Sequence, residues 1–186
     1  RLVAYLVKAA REAEVSTTWS APNEPYELGL STFVRCVLAD EALMGAVAQL
    51  VERLQPAFVT NSLGQRAIQL LTPGVPDIYG GCETVSLRLV DPDNPEPVRV
   101  ADLDVALEAA LAEVPDPWGD LDAAKLRLTA LGLDLRRRHP QAVGASGAVL
   151  RVRAEGEAAE HVVGLVRGDA VAAVASRFAL RLAAGG

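Results

Sequence analysis

The stretch Pro73–Asn94, PGVPDIYGGCETVSLRLVDPDN, separates a helical half of the chain from a downstream half that ends in strand-like alternation. Pro73, Pro76 and Pro92 block helix continuation, and Gly74, Gly80 and Gly81 permit backbone angles that other residues avoid. The segment displays Asp77, Tyr79, Glu83, Asp91, Asp93 and Asn94 in close succession. Carboxylates, an amide and a phenol beside a glycine turn are groups that hydrogen-bond sugar hydroxyls. On physical grounds alone this is a candidate binding loop. Asp91-Pro92-Asp93-Asn94 is equally good turn chemistry, in which the side chains bond their own backbone.

Upstream of the loop the pattern is helical. Leu2, Leu6, Ala9 and Ala13 share one face, with Lys8, Arg11 and Glu12 around the other side. Asn23 is an N-cap for a second helix, whose buried face the spacing assigns to Tyr26, Leu30, Phe33, Val34, Val37 and Leu38. Asp40 caps a third, with Leu43, Val47, Leu50, Val51 and Leu54 on one side. Pro56 is expected to separate it from a fourth helix over residues 57–71. Downstream, Leu103, Leu107, Ala110, Leu111 and Val114 mark a fifth helix that Pro115 and Pro117 stop. A sixth begins at Asp120 or Asp122 and runs to His139-Pro140.

Past the flexible residues 144–147 the period changes to two. Leu150, Val152 and Ala154 alternate with arginines, a second strand covers residues 161–167, and Gly168-Asp169 turns into a third over 170–175. Phe178, Leu180 and Leu182 alternate against Arg177 and Arg181, which predicts another strand. The fold class expected is α+β: a mainly helical body over residues 1–140 and a small antiparallel sheet domain over residues 141–186.

Bulk properties narrow the function. The 186 residues suit one domain, or one with a small appendage, and a chain of this length buries about 70% of its unfolded surface. A net charge of −6 with no basic stripe argues against nucleic acid. Arg136-Arg137-Arg138 falls at a helix end, where cations oppose the helix dipole. No apolar run reaches the roughly 20 residues that span a bilayer, so no membrane partner is expected. Cys36, on an apolar helix, reads as a small buried hydrophobe, and Cys82 has no histidine near it, so no metal site and no cofactor are implied. The cysteine usage fits a reducing cytoplasm. Trp118, between prolines and acids, reads as a packing anchor, and His139 and His161 stand apart from acidic ligands. Arg1 opens directly into helical periodicity and the chain stops at Ala-Ala-Gly-Gly, which reads as a cut from something longer.

Two segments in order, KAAREAEVSTTWSAPNEPYE at Lys8–Glu27 and the Pro73–Asn94 loop, resemble maltooligosyl trehalose synthase, with LRRRHP at Leu135–Pro140 resembling the helix before that family's C-terminal β domain. The resemblance implies an enzyme of the α-amylase superfamily. Such an enzyme converts the reducing-end α-1,4 linkage of a maltooligosaccharide to an α,α-1,1 linkage, with a carboxylate nucleophile and a carboxylic acid about 5 Å apart. Pro-Gly-Val-Pro-Asp-x-Tyr then corresponds to the last strand of a (β/α)8 barrel, and the catalytic carboxylates lie on earlier strands, upstream of Arg1. The resemblance thus implies no catalytic residue in this chain, and a length short of the roughly 250 residues of a whole barrel fits an incomplete one. Asp77, Tyr79, Glu83, Asp91, Asp93 and Asn94 are then substrate-binding candidates. Trp19 joins them as a platform for a pyranose face, while Asn23 and Tyr26 are better explained as cap and helix stripe. The chain departs from the family at Gly80, at Thr84-Val85-Ser86 and at Pro95-Glu96, where glutamine, an aromatic-containing stretch and an arginine pair are usual. A non-catalytic carbohydrate-binding or protein-interaction module is the alternative. A barrel strand cut from its neighbours also exposes edges that invite self-association.

Overall fold

The computed structural model describes residues 1–87 and 97–183. Asp91, Asp93, Asn94, Pro95 and Glu96 lie outside the described residues. Seven α-helices, one 3-10 turn and three strands are present among those described. They group into two compact units, one within residues 1–53 and one comprising residues 54–87 and 97–183.

In the first unit, α1 (Leu2–Ala13) packs on α2 (Glu24–Ala39). Asn23 caps α2, its side-chain oxygen accepting from Tyr26 N at 3.2 Å, and Pro25 sits at the start of the helix where no N–H is missed. Asp40 caps the next helix by accepting from Leu43 N at 3.0 Å. Apolar burial is slight here. Of the predicted α2 face only Val34 is buried; Tyr26, Phe33 and Leu38 are exposed, and so is Cys36. The helical period identifies an apolar face, but burial needs an opposing surface that these described residues do not supply.

Pro56 does not end a helix. α3 runs unbroken from Glu41 to Leu71, with Pro56 inside it. Proline removes a single helix bond, the one to Glu52 O, and the turns on either side keep theirs. The division between the two units falls at Arg53, in the turn that proline weakens.

The second unit holds the main core. α4 (Val100–Ala112) packs on α5 (Leu121–Arg138), which Asp120 caps through Ala123 N at 2.9 Å. A short α6 (Pro140–Val143) leads to β1 (Val149–Arg151), then a 3-10 turn (Ala159–His161), β2 (Val162–Arg167) and β3 (Val171–Ser176). The three strands form one antiparallel sheet in the order β1-β2-β3. Residues alternate on β3, with Val171 and Ala173 buried and Val174 exposed. Leu71 of α3 and Val143 of α6 pack on Val171 and Ala173, with Ile68, Leu135 and Leu165 beside them. Gly164 allows the close strand pairing: a Cβ there would stand 2.6 Å from Ala173 O.

Residues 178–182 are not a strand. Phe178 takes φ 56°, and α7 (Ala179–Ala183) comes directly after it. Five residues alternating Phe-Ala-Leu-Arg-Leu fit a helical turn as well as a strand, and the left-handed residue turns the backbone out of the β3 direction. The His161 and Phe178 rings stand edge to face with centroids 6.3 Å apart, and the Arg177 and Arg181 guanidiniums lie over the Phe178 ring.

Candidate functional site

The loop after α3 is organised by side chains. Tyr79 O accepts from Cys82 N at 2.9 Å, closing a four-residue turn, and Gly81 at its third position has φ 84°. That angle favours glycine in such a turn. Gly81 N donates to Glu83 Oε2 at 2.7 Å. Glu83, expected to face sugar, thus spends one carboxylate oxygen on its own turn.

Around the turn, α3 and α5 reach for the loop backbone. Buried Arg66 donates to Cys82 O at 2.5 Å and to Gln69 Oε1 at 3.0 Å, while Gln69 Nε2 donates to Asp77 O at 2.7 Å. Lys125 donates to Thr84 O at 2.6 Å, and Asp122 accepts from Val85 N at 2.7 Å. Arg136 donates to Leu70 O at 2.8 Å, Thr72 O at 3.4 Å and Gly74 O. Arg136 therefore closes the C-terminus of α3 and not merely its own helix end, while Arg137 and Arg138 pair with Asp134 at 2.6 Å each. Burial, and then the neighbouring Arg66 charge, lower the pKa of Lys125; Cys82, Asp122 and Glu83 oppose the shift.

This bracing leaves the Asp77 and Tyr79 side chains free. Among the described residues neither the Asp77 carboxylate nor the Tyr79 hydroxyl has a hydrogen-bond partner. Both are exposed, Tyr79 to 74%. Residues 73–79 pair with no strand among the described residues. A barrel strand is bonded to neighbours on both sides, and the one sheet among the described residues does not include the segment.

Trp19 belongs to the first unit, where a second polar cluster stands. Arg11 bridges Glu27 in a fork, Nε to Oε1 at 2.8 Å and Nη2 to Oε2 at 2.6 Å. Buried Thr17 donates to Glu27 Oε1 at 2.5 Å and accepts from Asn23 N at 2.9 Å. Arg11, then Thr17, hold the Glu27 carboxyl at about 2 against its usual 4.5. The Arg11 guanidinium also lies over the Trp19 ring at 5.0 Å, and Trp19 remains 56% exposed. The cluster orders the Lys8–Glu27 segment and presents Trp19 with an arginine already on its ring.

Trp118, expected as a packing anchor, is exposed instead. His161 is buried with Nδ1 3.2 Å from Arg177 O, a structural setting. No cluster of metal-ligating side chains occurs, and no helix is long and apolar enough to cross a membrane, both among the described residues. The bracing residues Arg66, Gln69, Asp122, Lys125 and Arg136 carry no ligand-facing signature in the sequence. Their only signal is a set of long polar side chains on otherwise apolar helical faces.

No protein-family model matches the chain. A putative maltooligosyl trehalose synthase of Mycobacterium tuberculosis is 37% identical over 182 residues, 98% of this chain and 22% of that relative. The solved maltooligosyltrehalose synthase of Arthrobacter ramosus is similar over the whole chain and 24% of its own length, at 36% identity and a TM-score of 0.87. A hypothetical maltooligosyl trehalose synthase of Sulfolobus tokodaii matches 95% of the chain at 25% identity and a TM-score of 0.72. The chain spans under a quarter of the length of the curated relatives it matches.

Proposed function

From its homology to about a quarter of maltooligosyl trehalose synthase, we propose that this chain acts as the C-terminal part of such an enzyme. The parent activity is an intramolecular glucosyl transfer that turns the reducing-end α-1,4 linkage of a maltooligosaccharide into an α,α-1,1 linkage, in the cytoplasm. The catalytic carboxylates come from polypeptide preceding this region, and residues 141–186 act as part of the C-terminal β domain. Residues 73–79 are the last strand of the barrel, paired with strands outside this chain. The loop is the wall of the substrate cleft. Asp77 and Tyr79 bond glucose hydroxyls; Glu83, Asp91, Asp93 and Asn94 are further candidates for substrate binding, and Trp19 is a separate candidate for stacking on a pyranose face.

The observation that carries this reading is the pair of exposed, unpartnered groups on a loop whose backbone is held by side chains of two helices. Binding sites place a few polar groups on a rigid support, and the loop has that character. The turn has room for a side chain at position 80, since a Cβ there would meet only Val98 Cγ2 at 3.5 Å. The glycine at that position leaves the proposed site without one.

Maltopentaose supplied to the chain alone is expected to give no trehalosyl product, whereas the chain joined to its preceding polypeptide does. Turnover by the chain alone overturns this division of labour. Titration of maltopentaose followed by NMR tests the site, with shifts expected at Asp77 and Tyr79. A spectrum that stays silent there favours the second reading, a protein-interaction module, which the exposed apolar residues of α2 support.

A further inference from the structure

Five side chains from two helices meet the loop backbone at Gly74, Asp77, Cys82, Thr84 and Val85. None of these contacts touches the groups proposed to face sugar. No strand pairing among the described residues holds 73–87, and its exposed apolar members, Val75, Tyr79 and Leu87, do not anchor a core. The conformation of the loop thus depends on polar side chains from α3 and α5. Those side chains are set in turn: Arg66 is buried and also holds Gln69, which ties the Cys82 and Asp77 contacts to one another.

We propose that Arg66, Gln69 and Lys125 are positioning residues that fix the 77–84 backbone, so that Asp77 and Tyr79 are presented to a sugar in a preformed geometry. This deepens the functional reading above and rests on it. The physical effect is preorganisation: a loop already in its bound shape loses less conformational entropy when a ligand arrives. Arg66 is suited to the task because a planar guanidinium donates in two directions at once, to a side-chain carbonyl and a backbone carbonyl. Lys125 needs to reach only one acceptor, Thr84 O.

The test uses Lys125→Met and Gln69→Leu, with Lys125→Arg as the conservative control and Arg66→Met as the severest change. Amide hydrogen exchange over residues 77–85 reads the loop directly, thermal unfolding reads the fold, and maltopentaose titration reads the site. Losing one such bond is expected to speed exchange at Cys82 and Val85 about tenfold, while exchange in β2 and β3 stays at the wild-type rate. Maltopentaose affinity is expected to fall by a similar factor, and Lys125→Arg to restore both. Should Arg66→Met unfold the unit, the two milder variants decide the matter. Unchanged loop exchange in Lys125→Met and Gln69→Leu overturns the positioning role. Faster exchange in a protein whose wild type shows no shift with maltopentaose upholds the positioning role and overturns the sugar-facing reading instead.

Discussion

The two halves of α3 carry the same apolar period and meet different fates. In residues 41–53 the stripe of Leu43, Val47, Leu50 and Val51 is exposed, while beyond Pro56 the stripe includes Val59, Leu70 and Leu71, all buried. The first half belongs to a unit whose best-defined tertiary contact is polar, the Arg11–Glu27–Thr17 cluster. The second belongs to a unit with a continuous core of helix and sheet residues. Periodicity therefore reports that a face is apolar and says nothing about what covers it. The proposed parent enzyme supplies a reason for the uncovered half, since over three quarters of the matched relatives' length lies outside the match.

The contrast can be broken most easily at Leu70, which is 1% exposed. Leu70→Ala is expected to cost about 2–5 kcal/mol in urea unfolding, the range for a buried leucine leaving a cavity. A cost below about 1 kcal/mol, closer to that of a surface change, contradicts the core assignment. Next is Arg167, whose guanidinium is fully buried and donates to Leu71 O, Val143 O and Gly144 O at 2.8, 3.0 and 2.8 Å. Arg167→Met strips three carbonyls of their donor, and a loss of about 3 kcal/mol is expected, read by the shift in unfolding midpoint.

Acid sharpens the difference between the units. The Glu27 carboxyl is held at about 2 in the folded chain against 4.5 ordinarily, so the folded state favours the ionised form. Its contribution is complete above pH 4.5 and is lost as pH falls from there toward 2. NMR signals of α1 and α2 should therefore weaken or shift over that range before those of β2 and β3, and Glu27→Gln should flatten the dependence. Asp134 is lowered as well, by Arg137 and then Arg138, but on a surface pair. Simultaneous loss of both sets of signals counts against the polar character assigned to the first unit. Smallest of all, Leu50→Ala is expected to change the stability of this chain by no more than about 0.5 kcal/mol, because the residue is already half exposed.

Local chemistry was readable in advance. The caps Asn23, Asp40 and Asp120, the helix ends before Pro73 and Pro115, and the Gly168-Asp169 turn all arise from residues within a few positions of one another. Pro56 does not divide α3, because helix continuity depends on the turns around a proline as well as on the proline. The 178–182 alternation ends in a helix and not a strand, because five residues do not distinguish the two periods. The loop's bracing was hidden for another reason. Arg66 reaches a carbonyl 16 residues away, Arg136 one 62 away and Arg167 one 96 away, and such distances leave no periodic trace.

The Arg167 contact also has a consequence in time. The last carbonyl of α3, at Leu71, takes its donor from a residue added 96 positions later. At ribosomal rates that is an interval of about 5–20 s. During it the helix end that launches the candidate loop has neither its sheet nor its buried guanidinium. A nascent chain stalled before residue 167 should therefore hold α1 and α2 but leave the loop's root accessible to protease, and release past the β2–β3 hairpin should close it.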